Sequence, residues 1–346
     1  MSNSLLNNKR KILSFLKSLA CNQIKPIDTI SIIGHQLHDD ILQKSFIDSF
    51  VLAKAFMQES ATNSLEHYRP NKEPLAEEWV CHPVYASIIR DCYTNNNNGV
   101  VYLPQNRKYF LETCWGWGKH RTRVLSGFNS GKKITVESEN PIFVFSGTGY
   151  HGIVEDLAIS LTLLDHGIVF DIVLDSSDKW MKGLVDLFLP NNIGRIYLKK
   201  GYWINAYETI AVTKSSFGEY VNPTLIKKLA DAARNITNKG PKEKLFISRS
   251  DSSKRSNSSE NTLEKNYISK GYRPVVLSNL SVIEQVSLFR QASAVAGMHG
   301  AGFVNLVWSE PGVEVEEFYL SSHFNACYHS ICEYVGHNYS SICVDE

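Results

Sequence analysis

Several common signatures are missing from these 346 residues, and each absence removes a class of function. No G-x-x-x-x-G-K-[ST] occurs. The nearest approach, Gly131-Lys132, has Ser126 where the first glycine must stand, so there is no P-loop. No Asp-x-Asp occurs, which disfavours a site that chelates a diphosphate through paired carboxylates and a metal. The seven cysteines include no C-x-x-C pair. That odd, scattered set favours reduced thiols and a cytosolic setting over a disulfide framework. Charge of one sign is lacking too. A formal net charge of +1 gives no global basic field for nucleic acid, although local basic clusters can still handle a small anion. The N-terminal MSNSLLNNKRKILSFLKSLACNQ has basic residues followed by apolar ones, but Lys17 interrupts the run. It is a poor signal peptide and no transmembrane span. It reads as an amphipathic helix packed on its own domain, with peripheral contact to an anionic inner membrane face as the alternative. What remains is ordinary for a globular chain: 43% hydrophobic and 21% charged residues, and length enough for two domains with separate cores.

Apolar periodicity sets the organisation. Residues 26–34 read as a first strand, 60–80 as a surface excursion, and Tyr93-Thr94 with four Asn and Gly99 as a low-complexity turn. Val100–Leu103 is a strand. Residues 107–134 resist assignment; Trp115 and Trp117 are interleaved there with Lys119, His120, Arg121 and Arg123, which suits a carbohydrate or phosphate site or a fold-supporting loop. From Pro141 the pattern is cleaner. Strand 142–145, helix 153–164, strand 169–174, helix 179–188 and strand 195–198 follow, with 208–212 as one more strand. This β-α-β-α-β run implies a parallel sheet with right-handed crossovers. Asn222-Pro223 starts a helix over 224–236. A second α/β series comprises strand 244–248, helix 260–270 and strand 273–277. The predicted architecture is α/β, with two Rossmann-like domains whose parallel sheets face a central cleft, an N-terminal one over 1–215 and a C-terminal one over 216–346.

The densest information lies between Ser281 and Phe318. Ser281-x-x-Glu284 is a capping box, and Val282, Val286 and Phe289 continue a helix to about Gln291. Ala294–Met298 is a buried parallel strand, followed by His299-Gly300-Ala301-Gly302, a short helix over 303–308, and a strand over 313–318. Ligands of open α/β sheets sit at the carboxyl ends of strands, so this turn is a candidate site. Its order, G-x-x-G-x-G, is not the dinucleotide fingerprint. Small residues there let backbone N–H groups approach an anion at a helix start; alternatively, His299 simply caps a strand end.

Three further groups qualify. Ser248-Arg249 with Lys254-Arg255 places three cations just past a strand, where arginine's planar fork suits a diphosphate; a solvated basic loop has the same composition. His151 and Glu155, spaced i, i+4, share a helix face near its start, where a carboxylate can act as general base or merely favour the helix dipole. His35-x-x-His38-Asp39-Asp40 has metal-like spacing but no third ligand nearby, so no metal site is expected.

The pieces Ser248-Arg249 with Arg255, Leu280-Ser281-x-x-Glu284-Gln285-x-x-Leu288-Phe289, Gly297-x-His299-Gly300-Ala301-Gly302-x-x-Asn305, and Pro311-Gly312 leading to Glu317 together resemble glycosyltransferase family 61. Tyr150-His151-x-x-x-Glu155 resembles that family's Tyr-His-x-x-x-acid segment. The family includes bacterial enzymes of polysaccharide assembly, such as capsule, and eukaryotic xylosyl- and N-acetylglucosaminyltransferases. The resemblance implies a GT-B architecture and a cytoplasmic hexosyl- or pentosyltransferase. It also implies inverting, metal-independent transfer from a nucleotide sugar, a UDP-sugar by expectation, to an oligosaccharide or lipid-linked glycan, with no other cofactor. It places Arg249, Lys254, Arg255, His299, Gly300, Ala301, Gly302, Asn305 and Glu317 around the donor, with Glu317 on the ribose. Glu155, His151 and His299 become the catalytic candidates, Glu155 as base. A sugar pyruvyl transferase and a catalytically silent binding subunit are the rival readings.

Overall fold

The computed structural model describes residues 46–53, 56–59, 78–81, 84–105, 108–110, 113, 127–214, 216–217, 220–236, 240–251, 258–320 and 325–344. The strand expected at 26–34, the N-terminal helix, the His35–Asp40 group, and the Trp-rich stretch around Trp115–Arg123 lie outside the described residues.

Two sheets carry the fold. The first contains β1 (Phe46–Ala53), β2 (Val84–Ile89), β3 (Ile142–Val144), β4 (Asp171–Asp175), β5 (Arg195–Leu198) and β6 (Thr209–Val212), in the spatial order β1-β2-β6-β3-β4-β5. β6, β3, β4 and β5 run parallel, and β2 and β1 add an antiparallel margin. The parallel part is fully buried along β3 and β6, as expected for strands covered on both faces. Sequence periodicity found its parallel strands but not β1 or β2.

The second sheet contains β7 (Glu243–Ile247), β8 (Arg273–Val275), β9 (Ala292–Met298), β10 (Glu314–Leu320) and β11 (Asn338–Val344), in the order β8-β7-β9-β10-β11 with every pair parallel. Counted within this half the order is 2-1-3-4-5, that of a doubly wound sheet whose direction of winding reverses between its first and third strands. In the first sheet the corresponding reversal lies between β3 and β6.

Local chemistry accounts for the helix ends. α1 (Ala158–Asp165) continues a π-helical turn, Gly152–Leu157, where the sequence suggested an uninterrupted helix. α2 (Lys179–Phe188) is capped by Asp178, which accepts from Met181 N at 2.9 Å. α3 (Pro223–Arg234) has proline in its first turn and Asn222 accepting from Thr224 N. α4 (Ser258–Ser269) links β7 to β8. α5 (Val282–Arg290) opens on the expected capping box: Ser281 Oγ accepts from Glu284 N, and Glu284 Oε2 accepts from Ser281 N at 2.7 Å. α6 (Cys327–Val335) ends at Gly336 in the left-handed region, and with β11 it forms a C-terminal unit that sequence periodicity did not reveal.

One continuous apolar cluster takes Phe143, Ile153, Leu174 and Leu184 from the first half and Leu245, Val295, Phe303 and Trp308 from the second. Phe188 of α2 stacks on Trp308 at 4.8 Å, and α3 packs on both α1 and α6. A smaller five-stranded sheet flanks the first, built from Lys108–Phe110, Val101–Leu103, Tyr93–Asn95, Tyr202–Asn205 and Lys132–Thr135. The asparagine run before Gly99 forms the expected turn, and its side chains hold the fold. Asn96 Oδ1 accepts from Gly201 N and Tyr202 N, and its Nδ2 donates to Lys199 O.

Candidate functional site

In the second half the chain reverses its winding between β7 and β9, so the carboxyl ends of these strands part and leave a crevice. Ser248-Arg249 leaves β7 and His299-Gly300 leaves β9. Arg249 Nη1 donates to His299 O across the gap at 3.1 Å, and Arg249 N donates to Glu260 Oε1 at the start of α4. Glu260 is buried, which raises its carboxyl above the ordinary range, while the Arg249 cation opposes that rise. The turn then enters a 3-10 helix, Ala301–Trp308. A Cβ on Gly302 would stand 2.8 Å from Leu277 Cδ1 and 3.1 Å from Ile247 Cγ2, so glycine lets the turn lie against β7 and the chain beyond β8.

His299 is held firmly. Its Nδ1 lies 2.6 Å from Glu317 Oε1, and its ring stacks on Tyr319 with centroids 5.1 Å apart. Glu317 is fully buried; Tyr339 OH donates to its Oε2 at 2.8 Å and Tyr319 OH lies 2.9 Å from the same oxygen. Burial, reinforced by the Glu317 charge, pushes both phenols well above the usual tyrosine value. Neighbouring strand residues face opposite sides, so Glu316 turns away from this group and pairs with the Tyr267 hydroxyl.

The reversal in the first half lies between β3 and β6, and a second histidine–carboxylate pair sits there. After β3 the chain runs through Ser146–Tyr150 into the π turn, an element frequently found at functional sites. Gly147 allows it: a Cβ there would fall 2.7 Å from Gly152 N and from His151 C. His151 keeps 30% of its side chain exposed, and its Nδ1 lies 3.8 Å from Oε1 of Glu155, whose side chain is only 1% exposed. Behind them Asp156 Oδ2 accepts from Ser146 N and Gly147 N at 2.8 and 2.7 Å. Lys214, just past β6, reaches Glu155 Oε2 and Asp156 Oδ1, each at 3.5 Å, and donates to Ser146 Oγ. Lys200, past β5, donates to Ser146 O at 2.8 Å. Burial pushes the Asp156 carboxyl up, against the pull of Lys214. Burial alone would lower the Lys214 ammonium, but Asp156 and Glu155 hold it above the ordinary lysine range. Lys200 lies below that range because its burial is less fully compensated.

The two turns meet. A Cβ on Gly149 would lie 3.9 Å from Ala301 Cβ, and Tyr150, beside His151, packs edge-on against Tyr328, which in turn touches the His299 ring. Next to that contact lies a cavity of about 510 Å³. Gly149, Lys179 and Trp180 line it from the first half; Leu277, Ser281, Gln285, Ala301, Gly302 and Asn305 are among its walls from the second. Its volume falls in the range of small-molecule sites.

The residues singled out in the sequence are thus placed unequally. Arg249, His299, Gly300, Ala301 and Gly302 share the second-half crevice, with His151 and Glu155 across from them. Asn305 reaches the cavity wall, but its amide is engaged inside the protein, donating to Gly302 O and accepting from Trp308 Nε1. Glu317, expected on a ribose, has both carboxylate oxygens occupied by His299, Tyr319 and Tyr339, so it acts on His299. Lys254 and Arg255 lie outside the described residues. No group of three or more histidine, cysteine or acidic side chains is arranged to hold a metal among the described residues. Sequence reasoning missed Lys200, Lys214, Tyr319, Tyr339 and Trp180, and gave Asp156 no role of its own beside Glu155. One signal was present: Gly147-x-Gly149-x-x-Gly152 after β3 has dinucleotide-fingerprint spacing. Here the Asp156 carboxylate takes the first N–H groups of the loop, those of Ser146 and Gly147.

Residues 34–315 match the family model described as Glycosyltransferase 61. No curated protein matches the chain's sequence.

Proposed function

From the premise that the chain belongs to glycosyltransferase family 61, we propose that it moves a sugar from a nucleotide-sugar donor to a glycan hydroxyl, with inversion and without a metal, across a cleft of GT-B type. Donor binding falls to the second half and the acceptor to the first. The observation that carries this reading is the Arg249–His299 contact across the β7/β9 reversal, beside a glycine turn and an open cavity.

In a single displacement the acceptor oxygen attacks the anomeric carbon as the glycosyl–phosphate bond breaks, the nucleoside diphosphate departs and one proton leaves the hydroxyl. Positive charge must meet the leaving diphosphate. Arg249 and the backbone of Gly300–Gly302 supply it, with His299 oriented by Glu317 beside them. A group on the opposite wall must take the proton. Glu155 was the base expected from the sequence, but its carboxylate is buried. We therefore assign proton acceptance to His151, with Glu155 behind it, in the manner of a base held by a third group.

Calorimetric titration with UDP in excess EDTA tests the donor side. Wild-type protein binds it, and Arg249→Ala weakens binding by about 1–3 kcal/mol. Unchanged affinity in that variant contradicts the assignment, and loss of wild-type binding in EDTA contradicts metal independence.

A further inference from the structure

The group beneath the loop after β3 contains more than a histidine–carboxylate pair requires. Glu155 and Asp156 are consecutive acids on the π turn, exposed to 1% and 0%. Carboxylates buried side by side oppose each other's ionisation. Asp156 has its own remedy in the N–H groups of Ser146 and Gly147, which favour its charged form. Glu155 receives its cation from elsewhere in the chain: Lys214 Nζ lies 3.5 Å from Glu155 Oε2 and 3.5 Å from Asp156 Oδ1. The same ammonium donates to Ser146 Oγ at 2.9 Å, so it joins both acids to the loop that precedes His151. Lysine arrives from the end of β6, across the winding reversal from β3, and only 10% of its side chain is exposed.

We propose that Lys214 is a positioning residue for the proton transfer: its ammonium keeps Glu155 a carboxylate behind His151 and ties that carboxylate to the Ser146–Gly147 loop. The catalytic part of this statement rests on the reading of His151 as proton acceptor. Among the described residues, Lys200, on which Asp175 and Asp178 act in turn, and the titratable His151 also face the cluster. α2 and α3 both pack on the π turn, and Met181 of α2 reaches Gly152 with its methyl group. Without Lys214, the two buried acids lose the ammonium that lies against both of them, and a proton on Glu155 is the readiest replacement. A protonated Glu155 no longer holds His151 by charge.

The experiment follows Glu155 directly, by carbon-13 NMR of protein labelled at the glutamate carboxyl carbons, with Glu155→Gln identifying its resonance. Wild type and Lys214→Arg give the same titration of that carbon. In Lys214→Met it moves to higher pH by about one unit or more, the size expected when an adjacent opposite charge is lost. The acidic limb of the kcat–pH profile for sugar transfer moves upward with it, and activity returns at alkaline pH. If Lys214→Met does not fold, Lys214→Gln takes its place, because glutamine keeps hydrogen bonding and removes only the charge. An unmoved Glu155 resonance in the charge-free variant overturns the proposal, whether or not transfer is measured. A moved resonance with an unmoved pH profile leaves Lys214's hold on Glu155 intact and overturns the assignment of the His151–Glu155 pair to catalysis.

Discussion

The molecule presents two histidine–carboxylate pairs at two reversals of winding, and they are built in opposite ways. His299–Glu317 is tight, at 2.6 Å, with the carboxylate fully buried and its second oxygen met by neutral tyrosine hydroxyls. His151–Glu155 is loose, at 3.8 Å, and a lysine ammonium stands behind it. Hydroxyl donors fix a geometry without adding charge. An ammonium adds charge and leaves the pair free to adjust, and catalytic hydrogen bonds in unliganded sites are often long before substrate arrives. The tight pair suits a part that must hold a ligand in one orientation; the loose, compensated pair suits a part that must accept a proton.

Three substitutions separate these roles. The largest expected effect is on the loose pair. His151→Ala lowers the single-turnover transfer rate by about 10²–10⁴-fold, the usual contribution of a general base. Calorimetric donor affinity stays at the wild-type value, because the proposed donor contacts lie on the other half. Glu155→Ala gives a loss of the same kind, and the double variant loses little more than either single one, since groups that act as a unit are non-additive. Full transfer activity in His151→Ala removes the assignment. On the tight pair the expected effect is smaller in rate and larger in stability. Glu317→Ala takes one acceptor from the Tyr319 and Tyr339 hydroxyls, which keep each other and Asn325 O as partners, at roughly 0.5–1.5 kcal/mol per lost hydrogen bond, read as a lower urea midpoint at unchanged slope. It also weakens donor binding, because His299 loses its orienting partner. If Glu317→Ala slows transfer while leaving both stability and donor affinity intact, the two pairs are not divided as described.

The difference between the pairs also explains what the sequence could disclose. Ser281–Gly302 was legible almost residue by residue because its signals are local: a capping box within four positions, a run of small apolar residues for β9, and glycines at the turn. Arg249 and His299 could be matched because each directly follows such a strand. The support behind each histidine was not legible. Lys214 lies 58 positions from Asp156, at the end of a strand that carries no mark of its role. Glu316 and Glu317 are adjacent acids in a strand with no clean alternation, so nothing local says which one turns inward; tertiary packing of Tyr319 and Tyr339 decides it. The π turn is equally silent, since its residues satisfy an ordinary helical period. β11 and α6 escaped for a related reason: α6 buries serine, cysteine and tyrosine, which give a weak apolar pattern, and β11 only alternates exposed with half-buried positions.

The smallest expected effect probes the same contrast through alkaline stability. Around the tight pair, Tyr319, Tyr328 and Tyr339 titrate well above the ordinary tyrosine value, chiefly through burial. Unfolded tyrosines ionise near pH 10, by the reference value of about 10. The folded chain therefore holds more protons than the unfolded chain once that point is passed. By linkage, the stability these groups contribute is fully present below about pH 10 and is lost as pH rises toward their folded values. Around the loose pair the sign is reversed for Lys200, whose ammonium burial pushes down. Its cost is present at neutral pH and is relieved as pH rises through the folded value toward the ordinary lysine range. Tyr339→Phe separates the two contributions. The variant starts lower than wild type by about 1 kcal/mol, for the hydrogen bond to Glu317 that it lacks. Its melting temperature then falls less steeply above pH 10, because one buried titrating phenol is gone. Thermal melts of both proteins from pH 8 to 11, read about every half unit, decide the point. Converging curves place the alkaline weakness in the tyrosine shell of Glu317; parallel curves place it elsewhere in the molecule.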